Sequence, residues 1–175
     1  MRRFQQHFHR FCAFGAGLCM ILVFGIIFVN SLRRYTIGKS FEWGEELPIY
    51  FTIYGVMFGI ALAYLQDRHI RFTILTDFLP AYMRQRLFAL VDLGVIVTGG
   101  FLAWSGYLFT QKRGLIDASG LIGTAKDYAA QTGIDGLVLL GRMGSYQASM
   151  LLGGLLLATA ALIKFEQRLR AMKGA

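Results

Sequence analysis

The sequence predicts an all-α integral membrane protein with four transmembrane helices and an amphipathic helix lying in the membrane plane between spans two and three. Hydrophobic residues make up 55% of the 175 residues and charged residues only 16%, whereas average soluble proteins carry roughly 25% charged residues. The charges also cluster between long apolar runs. This pattern is typical of a membrane protein, and we expect a single membrane domain covering residues 1–175.

The four predicted spans are long runs with almost no charge. They cover about 11–32, 47–66, 87–111 and 143–163, and Asp92 in the third is the one charged residue within them. About 20 helical residues cross the hydrocarbon core. The first run is longer than the apolar region of a cleaved signal peptide and ends without a small-x-small cleavage site, so we expect it to remain as a helix. Pro48 is expected in the first turn of the second helix, where its missing N–H costs nothing.

The connection between spans two and three predicts the in-plane helix, at about 69–79. Ile70, Ile74 and Phe78 recur every four residues, and polar residues take the other face. A helix with this pattern lies at the membrane surface with its apolar face buried. Pro80 limits how far such a helix runs.

The connection between spans three and four, 112–142, is long and rich in glycine. Residues 124–131 predict a short helix within it. The apolar stretch 137–140 is too short to cross the membrane.

The net charge of +8 predicts contact with anionic phospholipids and not with nucleic acid, because the basic residues flank the apolar runs. With both termini in the cytoplasm, that side carries 11 Lys and Arg residues and the other side carries 7. Since cytoplasmic loops are enriched in Lys and Arg, we expect the N- and C-termini in the cytoplasm.

No residues form a recognisable catalytic set, metal site or cofactor site. His7, His9 and His69 lie at span edges, not inside the spans where haem-binding anchors place their axial ligands. The spans also lack the titratable groups of a hydrolytic site. Cys12 and Cys19 lie on one helical face about 10 Å apart along the axis, too far for a disulfide. We therefore expect neither an enzyme nor a cofactor, and interpret the cysteines as packing residues.

Asp92 is the acidic residue inside a predicted span. Intramembrane acids are rare and usually functional. It lies six residues beyond Arg86, about 9 Å deeper along a helix. Two interpretations stay open at this point: a static pair with a basic residue of a neighbouring helix, or a relay for protons or ions.

Small residues recur every four positions in the second span, at Gly55, Gly59 and Ala63. Such a stripe lets another helix approach closely. The alternative is that glycine is simply frequent in membrane helices.

The segment between the first two spans carries charges of both signs. Glu45 and Glu46 precede the second span, where the helix dipole favours carboxylates, and Trp43 suits the membrane interface. Arg33 and Arg34 end the first span and are candidates to pair with the two glutamates. These residues predict a polar hinge between two helices.

In combination, this stretch resembles the small membrane subunit of the tripartite ATP-independent periplasmic (TRAP) transporters. In that family an Arg-Tyr pair ends the first span, and a Gly-x-Ser turn follows. Trp-x-Glu-Glu-Leu then opens a second span with small residues, and His-Ile and Leu-Pro pairs come after it. The matching residues here are Arg34, Tyr35, Gly38, Ser40, Trp43, Glu45, Glu46, Leu47, Gly55, Gly59, Ala61, His69, Ile70, Leu79 and Pro80. The resemblance covers about residues 30–80, and the connection 112–142 departs from it by lacking the family's Pro and Trp before the fourth span.

The resemblance implies a subunit of a secondary transporter in a bacterial inner membrane. The implied partners are a large permease subunit that moves an organic acid, usually driven by sodium, and a periplasmic binding protein that selects the substrate. Family substrates include dicarboxylates and sialic acids. The small subunit is expected to brace the large one, with sodium coupling in the large subunit and phospholipid around both.

Two other classes remain as alternatives. One is a self-sufficient, homo-oligomeric small transporter or channel that uses Asp92 as its coupling acid. The other is a membrane anchor of a redox enzyme, which would carry a chromophore visible in an absorbance spectrum.

Overall fold

The computed structural model describes residues 2–67 and 79–173, and within these residues it is helical without any strand. The elements are α1 (Arg2–Ile37), α2 (Trp43–Leu65), α3 (Ala81–Arg113), α4 (Ile122–Thr132), a 3-10 helix (Asp135–Gly141) and α5 (Met143–Lys173). The predicted all-α class is confirmed. The in-plane helix is predicted at about 69–79. Its residues 69–78, which include His69 and Ile70, lie outside the described residues.

Four of the described helices are long and apolar enough to cross a membrane: α1, α2, α3 and α5. Three of them contain their predicted spans, and α2 begins four residues before its predicted span and ends at Leu65, one residue before the predicted end. Because α2 begins at Trp43, Pro48 lies inside the helix, in its second turn. The expectation that Pro48 lies in the first turn is therefore wrong, and this proline removes one helical hydrogen bond.

Helix α5 packs against both α2 and α3, and α1 packs against α2. The α3–α5 contact brings backbones together through glycine. A Cβ on Gly106 would lie 2.4 Å from Leu151 N, and one on Gly154 would lie 2.3 Å from Ala103 N. Small residues therefore set the separation of α3 and α5, as is common between membrane helices.

The buried core lies where α1, α2 and α5 meet and is built largely from small side chains. Ala61, Ala160 and Ala161 are fully buried there together with Cys12. The interpretation of Cys12 as a packing residue agrees with this position, and both cysteines are free thiols.

The connection between α3 and α5 folds back so that its two ends meet. Gly144 N donates to Gly114 O at 3.0 Å, and Met143 N donates to Ile116 O at 2.8 Å. Between these ends lie α4, which confirms the predicted short helix, and the 3-10 helix, which contains the apolar stretch 137–140. The connection thus folds into two short helices that lie beside the first turns of α2.

Candidate functional sites at the two ends of the bundle

The hinge between α1 and α2 is a tight turn closed by Asn30. Gly38 adopts φ +73, a left-handed conformation that glycine takes without steric cost. Phe41 N then donates to Asn30 Oδ1 at 2.7 Å. A Cβ on Gly44 would lie 2.6 Å from the Asn30 side chain, so glycine is needed there for the turn to close. Sequence reasoning missed Asn30, although an amide inside a span is itself an unusual signal.

The arginines of the hinge do not pair with its glutamates. Among the residues that the structure describes, no ion pair joins Arg33 or Arg34 to Glu45 or Glu46. The guanidinium of Arg33 instead lies 3.8 Å from the centre of the Phe41 ring, a cation–π contact. The proposed arginine–glutamate pairing is therefore replaced by aromatic packing.

The signature residues at the end of α1, in the turn and in the first turn of α2 are mostly exposed. Tyr35 is 85% exposed, and Arg34, Ser40 and Glu45 are also exposed. Trp43 is half-buried and stacks on Phe41 with 4.8 Å between ring centres. These exposed side chains do little for the fold of this chain, which leaves them available to a partner.

Glu46 is the exception, because it ties the hinge to the α3–α5 connection. Its Oε1 accepts hydrogen bonds from Ser119 Oγ at 2.8 Å and from Gly120 N at 3.1 Å. A Cβ on Gly120 would lie 3.1 Å from both the Glu46 carboxyl carbon and Glu42 O. Glycine at this position therefore allows the close approach. The sequence gives no signal that pairs residues so far apart.

A groove of about 670 Å³ opens next to this contact. Its walls come from the first turns of α2, the apolar face of α4, the 3-10 helix and the start of α5. The lining residues are Trp43, Leu47, Phe51, Tyr54, Leu121, Thr124, Ala125, Tyr128, Leu137, Leu140, Ser145 and Tyr146.

The small-residue stripe of α2 is used only in part. A Cβ on Gly55 would lie 3.1 Å from Cys19 Cβ of α1, whereas one on Gly59 would meet nothing within 4 Å. Ala61 is fully buried in the core, and Ala63 is half-buried. Gly55 thus serves close packing within the bundle, and Gly59 faces open space in the described part of the chain.

At the opposite end of the bundle, Asp92 lies in a charged cluster. It is 1% exposed, and its Oδ1 accepts a hydrogen bond from Tyr64 of α2 at 2.5 Å. Arg168 Nε of α5 lies 2.6 Å from Asp92 Oδ2. Neither of those two atoms has a hydrogen-bond partner among the described residues, so opposite charge is what holds them together. Asp92 is therefore in contact with Tyr64 and Arg168 in this structure.

The cluster contains a second carboxylate and a second cation. Asp67 follows α2 with φ +55, a left-handed conformation that Asp tolerates better than most residues. It pairs with Lys164, which is 8% exposed, and its Oδ1 lies 3.4 Å from Arg168. Among the described residues, Asp67 and Asp92 thus lie against Lys164 and Arg168, so charges of opposite sign face one another.

Comparison with known proteins identifies the family. Residues 23–171 match the family described as the DctQ component of the tripartite ATP-independent periplasmic transporters. The chain is 24% identical over 87 residues to a protein described as a TRAP transporter small permease protein from Haemophilus influenzae, covering 50% of this chain and 53% of that protein. It is 26% identical over 84 residues to the sialic acid TRAP transporter small permease protein SiaQ of Vibrio cholerae, covering 48% and 49%.

The chain spans about half the length of these curated relatives in the matched segments, whereas the family match covers most of the chain. The hinge and Asp92 both lie within the matched residues. With four apolar helices of spanning length, the chain is a multi-pass membrane protein and a transporter component, and it belongs to the DctQ component family of the tripartite ATP-independent periplasmic transporters.

Proposed function

We propose that this chain is the small subunit of a sodium-driven uptake system for an organic acid, and that it braces the stationary part of a large permease subunit. The observation that carries the proposal is the family match over residues 23–171. A periplasmic binding protein would deliver the substrate. The Vibrio cholerae relative is named for sialic acid, which makes sialic acid one substrate to test beside C4-dicarboxylates.

The bracing role is supported by how the charged groups of this chain are used. The carboxylate of Asp92 is in contact with Tyr64 and Arg168, and Lys164 is paired with Asp67. A substrate or sodium site needs polar groups that can exchange partners as the ligand arrives. The groups of this cluster instead bind one another, so we expect the transport path in the large subunit.

The outer faces of the bundle are suited to contact with another apolar surface. Phe14 and Phe24 of α1, and Phe101 and Trp104 of α3, are all largely exposed. In a membrane, such faces meet lipid or a partner helix. We propose that the large subunit covers part of them and that phospholipid covers the rest.

The proposed location is the bacterial inner membrane, with both termini in the cytoplasm. The balance of Lys and Arg supports this orientation. It places the hinge and α4 on the periplasmic side, where the binding protein docks on the complex.

Reconstitution tests the proposal directly. This chain, the large subunit or both would be placed in liposomes with a sodium gradient, and uptake of labelled sialic acid or succinate would be measured with the binding protein present. We expect uptake only with both membrane subunits, and loss of uptake when potassium replaces sodium. Uptake by this chain alone would instead support a self-sufficient transporter coupled through Asp92.

A further inference from the structure

We propose that the groove beside α2 holds one acyl chain of a phospholipid, with the phosphate of that lipid close to Arg142. The position of the groove along α2 suits an acyl chain. The α2 residues that line the groove run from Trp43 to Tyr54, which at 1.5 Å per residue is about 16 Å. This is about half of the roughly 30 Å hydrocarbon core. The groove therefore follows α2 over the depth of one membrane leaflet.

The walls of the groove are mainly apolar. The hydroxyl groups of Tyr54 and Tyr146 and Oγ of Ser145 already donate to the backbone carbonyls of Ser145, Leu140 and Leu139. The remaining side chains are mainly hydrocarbon. An extended peptide would bring N–H and C=O groups that such walls cannot satisfy, at a cost of several kcal/mol for each group. A hydrocarbon chain needs no such partners.

Arg142 supplies a positive charge close in sequence to the groove wall. Arg142 lies in the chain between Leu140 and Ser145, two residues of the groove wall. Within residues 2–67 and 79–173, its side-chain Nε is buried without a hydrogen-bond partner, and its guanidinium forms no ion pair. Lys126, on α4, adds a second positive charge, with only a 3.8 Å contact to Asp117. The Glu46 carboxylate also lies beside the groove and carries the opposite charge. Because arginine binds phosphate strongly through several N–H groups, we assign the phosphate to Arg142.

The volume agrees with such an occupant. About 670 Å³ lies within the roughly 300–1,000 Å³ of small-molecule sites. The proposal does not depend on the transport function, since it needs only a chain that spans a membrane.

Retention of lipid through purification is the first test. The full chain would be purified in detergent from native membranes with its partner subunits, and bound lipid per chain would be measured by mass spectrometry. We expect about one retained phospholipid, and at least a fivefold loss for Thr124→Phe, which fills the groove. Ala130→Phe, on the exposed face of the same helix, is the matched control and should retain the lipid. Equal retention in both variants would overturn the proposal.

The headgroup is tested without filling the groove. Phosphatidylglycerol and diacylglycerol with the same chains would be added to delipidated protein, and the bound adducts compared. Wild type should prefer phosphatidylglycerol at least fivefold, and Arg142→Gln should lose that preference, whereas Arg113→Gln should keep it. A wild type without preference would overturn the assignment of the phosphate to Arg142.

The identity of the occupant is tested by crosslinking. A benzophenone side chain placed at Thr124 in cells should give, on irradiation, an adduct with the mass of a phospholipid. A crosslink to the large subunit or to a second copy of this chain would overturn the proposal and assign the groove to a protein partner.

Discussion

Arg168 Nε lies 2.6 Å from Asp92 Oδ2, so the tail of α5 supplies the counter-charge for the acid inside α3. The same arginine lies 3.4 Å from Asp67 Oδ1 and 4.9 Å from the centre of the Phe88 ring. One side chain thus joins the ends of α2, α3 and α5. The relay interpretation of Asp92 would require this contact to open during each cycle.

Replacement of Asp92 by alanine should destabilise the isolated chain. Removal of one member of a buried pair costs about 3–5 kcal/mol. Because Arg168 keeps its contact with Asp67 and is 18% exposed, we expect about 2 kcal/mol. Unfolding by sodium dodecyl sulfate in mixed micelles measures the change.

The control for this pair is the double variant Asp92→Asn with Arg168→Gln. It removes both charges together and should cost less than the sum of the two single variants. Costs that simply add would mean that the two groups do not interact. Asp92→Asn should also leave the sodium stoichiometry of the reconstituted complex unchanged, and a changed stoichiometry would support the relay.

Loss of the Glu46 carboxylate should loosen the connection between α3 and α5. Glu46→Ala removes the acceptor for Ser119 Oγ and Gly120 N, worth about 1–2 kcal/mol. We expect roughly 5–30-fold faster amide hydrogen exchange around Gly120. Glu45→Ala is the matched control, because Glu45 is exposed. If Glu45→Ala accelerated exchange around Gly120 equally, the contact would not depend on the Glu46 carboxylate.

A larger residue at Gly154 should separate α3 from α5. The Cβ of any other residue would meet Ala103 N at 2.3 Å and Gly99 O at 2.6 Å, and a backbone cannot move aside as a flexible side chain can. We expect Gly154→Leu to cost at least about 3 kcal/mol and to lower the yield of monodisperse protein. Gly59→Leu, in open space, should be tolerated by the isolated chain. A similar loss for both would show that backbone contact is not the cause.

The exposed hinge residues should act on the complex and not on this chain. Arg34→Ala combined with Tyr35→Ala should lower co-purification of the large subunit at least fivefold, while thermal stability of the isolated chain stays the same, because both side chains are exposed. The matched control is Arg86→Ala with Tyr82→Ala, an exposed arginine–tyrosine pair near the start of α3. Normal co-purification of the hinge variant would exclude this surface from the interface.

Reporter fusions test the orientation. Fusions after Arg10 and Lys173 should report the cytoplasm, and fusions after Gly38 and Gly123 should report the periplasm, as the Lys and Arg count predicts. A cytoplasmic signal at Gly38 would reverse the topology and move the groove to the other leaflet.

The spans were predictable from sequence because the membrane imposes a length and an apolar composition on each helix. The contacts of Asp92 with Tyr64 and Arg168 were not predictable from sequence. The hydropathy pattern predicts that the fourth span ends at residue 163. Lys164 and Arg168 therefore enter the sequence-based prediction only as positive charges of the C-terminal tail. In the structure α5 continues to Lys173 and directs both cations toward α2 and α3. Their spacing of one helical turn was the available signal.

The hinge shows a different limit of sequence reasoning. Local rules place carboxylates near the start of a helix, and this explains why Glu45 and Glu46 lie in the first turn of α2. They do not determine which one finds a distant partner. Glu46 contacts Ser119 and Gly120 because the connection folds back on α2, a tertiary result that no local pattern encodes.

The glycine contacts between α3 and α5 have a mechanical consequence. The two helices are bonded at one end through Gly114 and Gly144 and paired at the other through Asp92 and Arg168, with backbones touching between. They therefore form a stiff ribbon that resists twisting. The α1–α2 hairpin meets this ribbon along its length. Tyr54 contacts Ser145 near one end, the Met57 side chain lies on Gly153 in the middle, and Tyr64 contacts Asp92 near the other end. We therefore expect α2, α3 and α5 to tilt together, so that a force on the outer face of α3 reaches α2 near both ends of the ribbon.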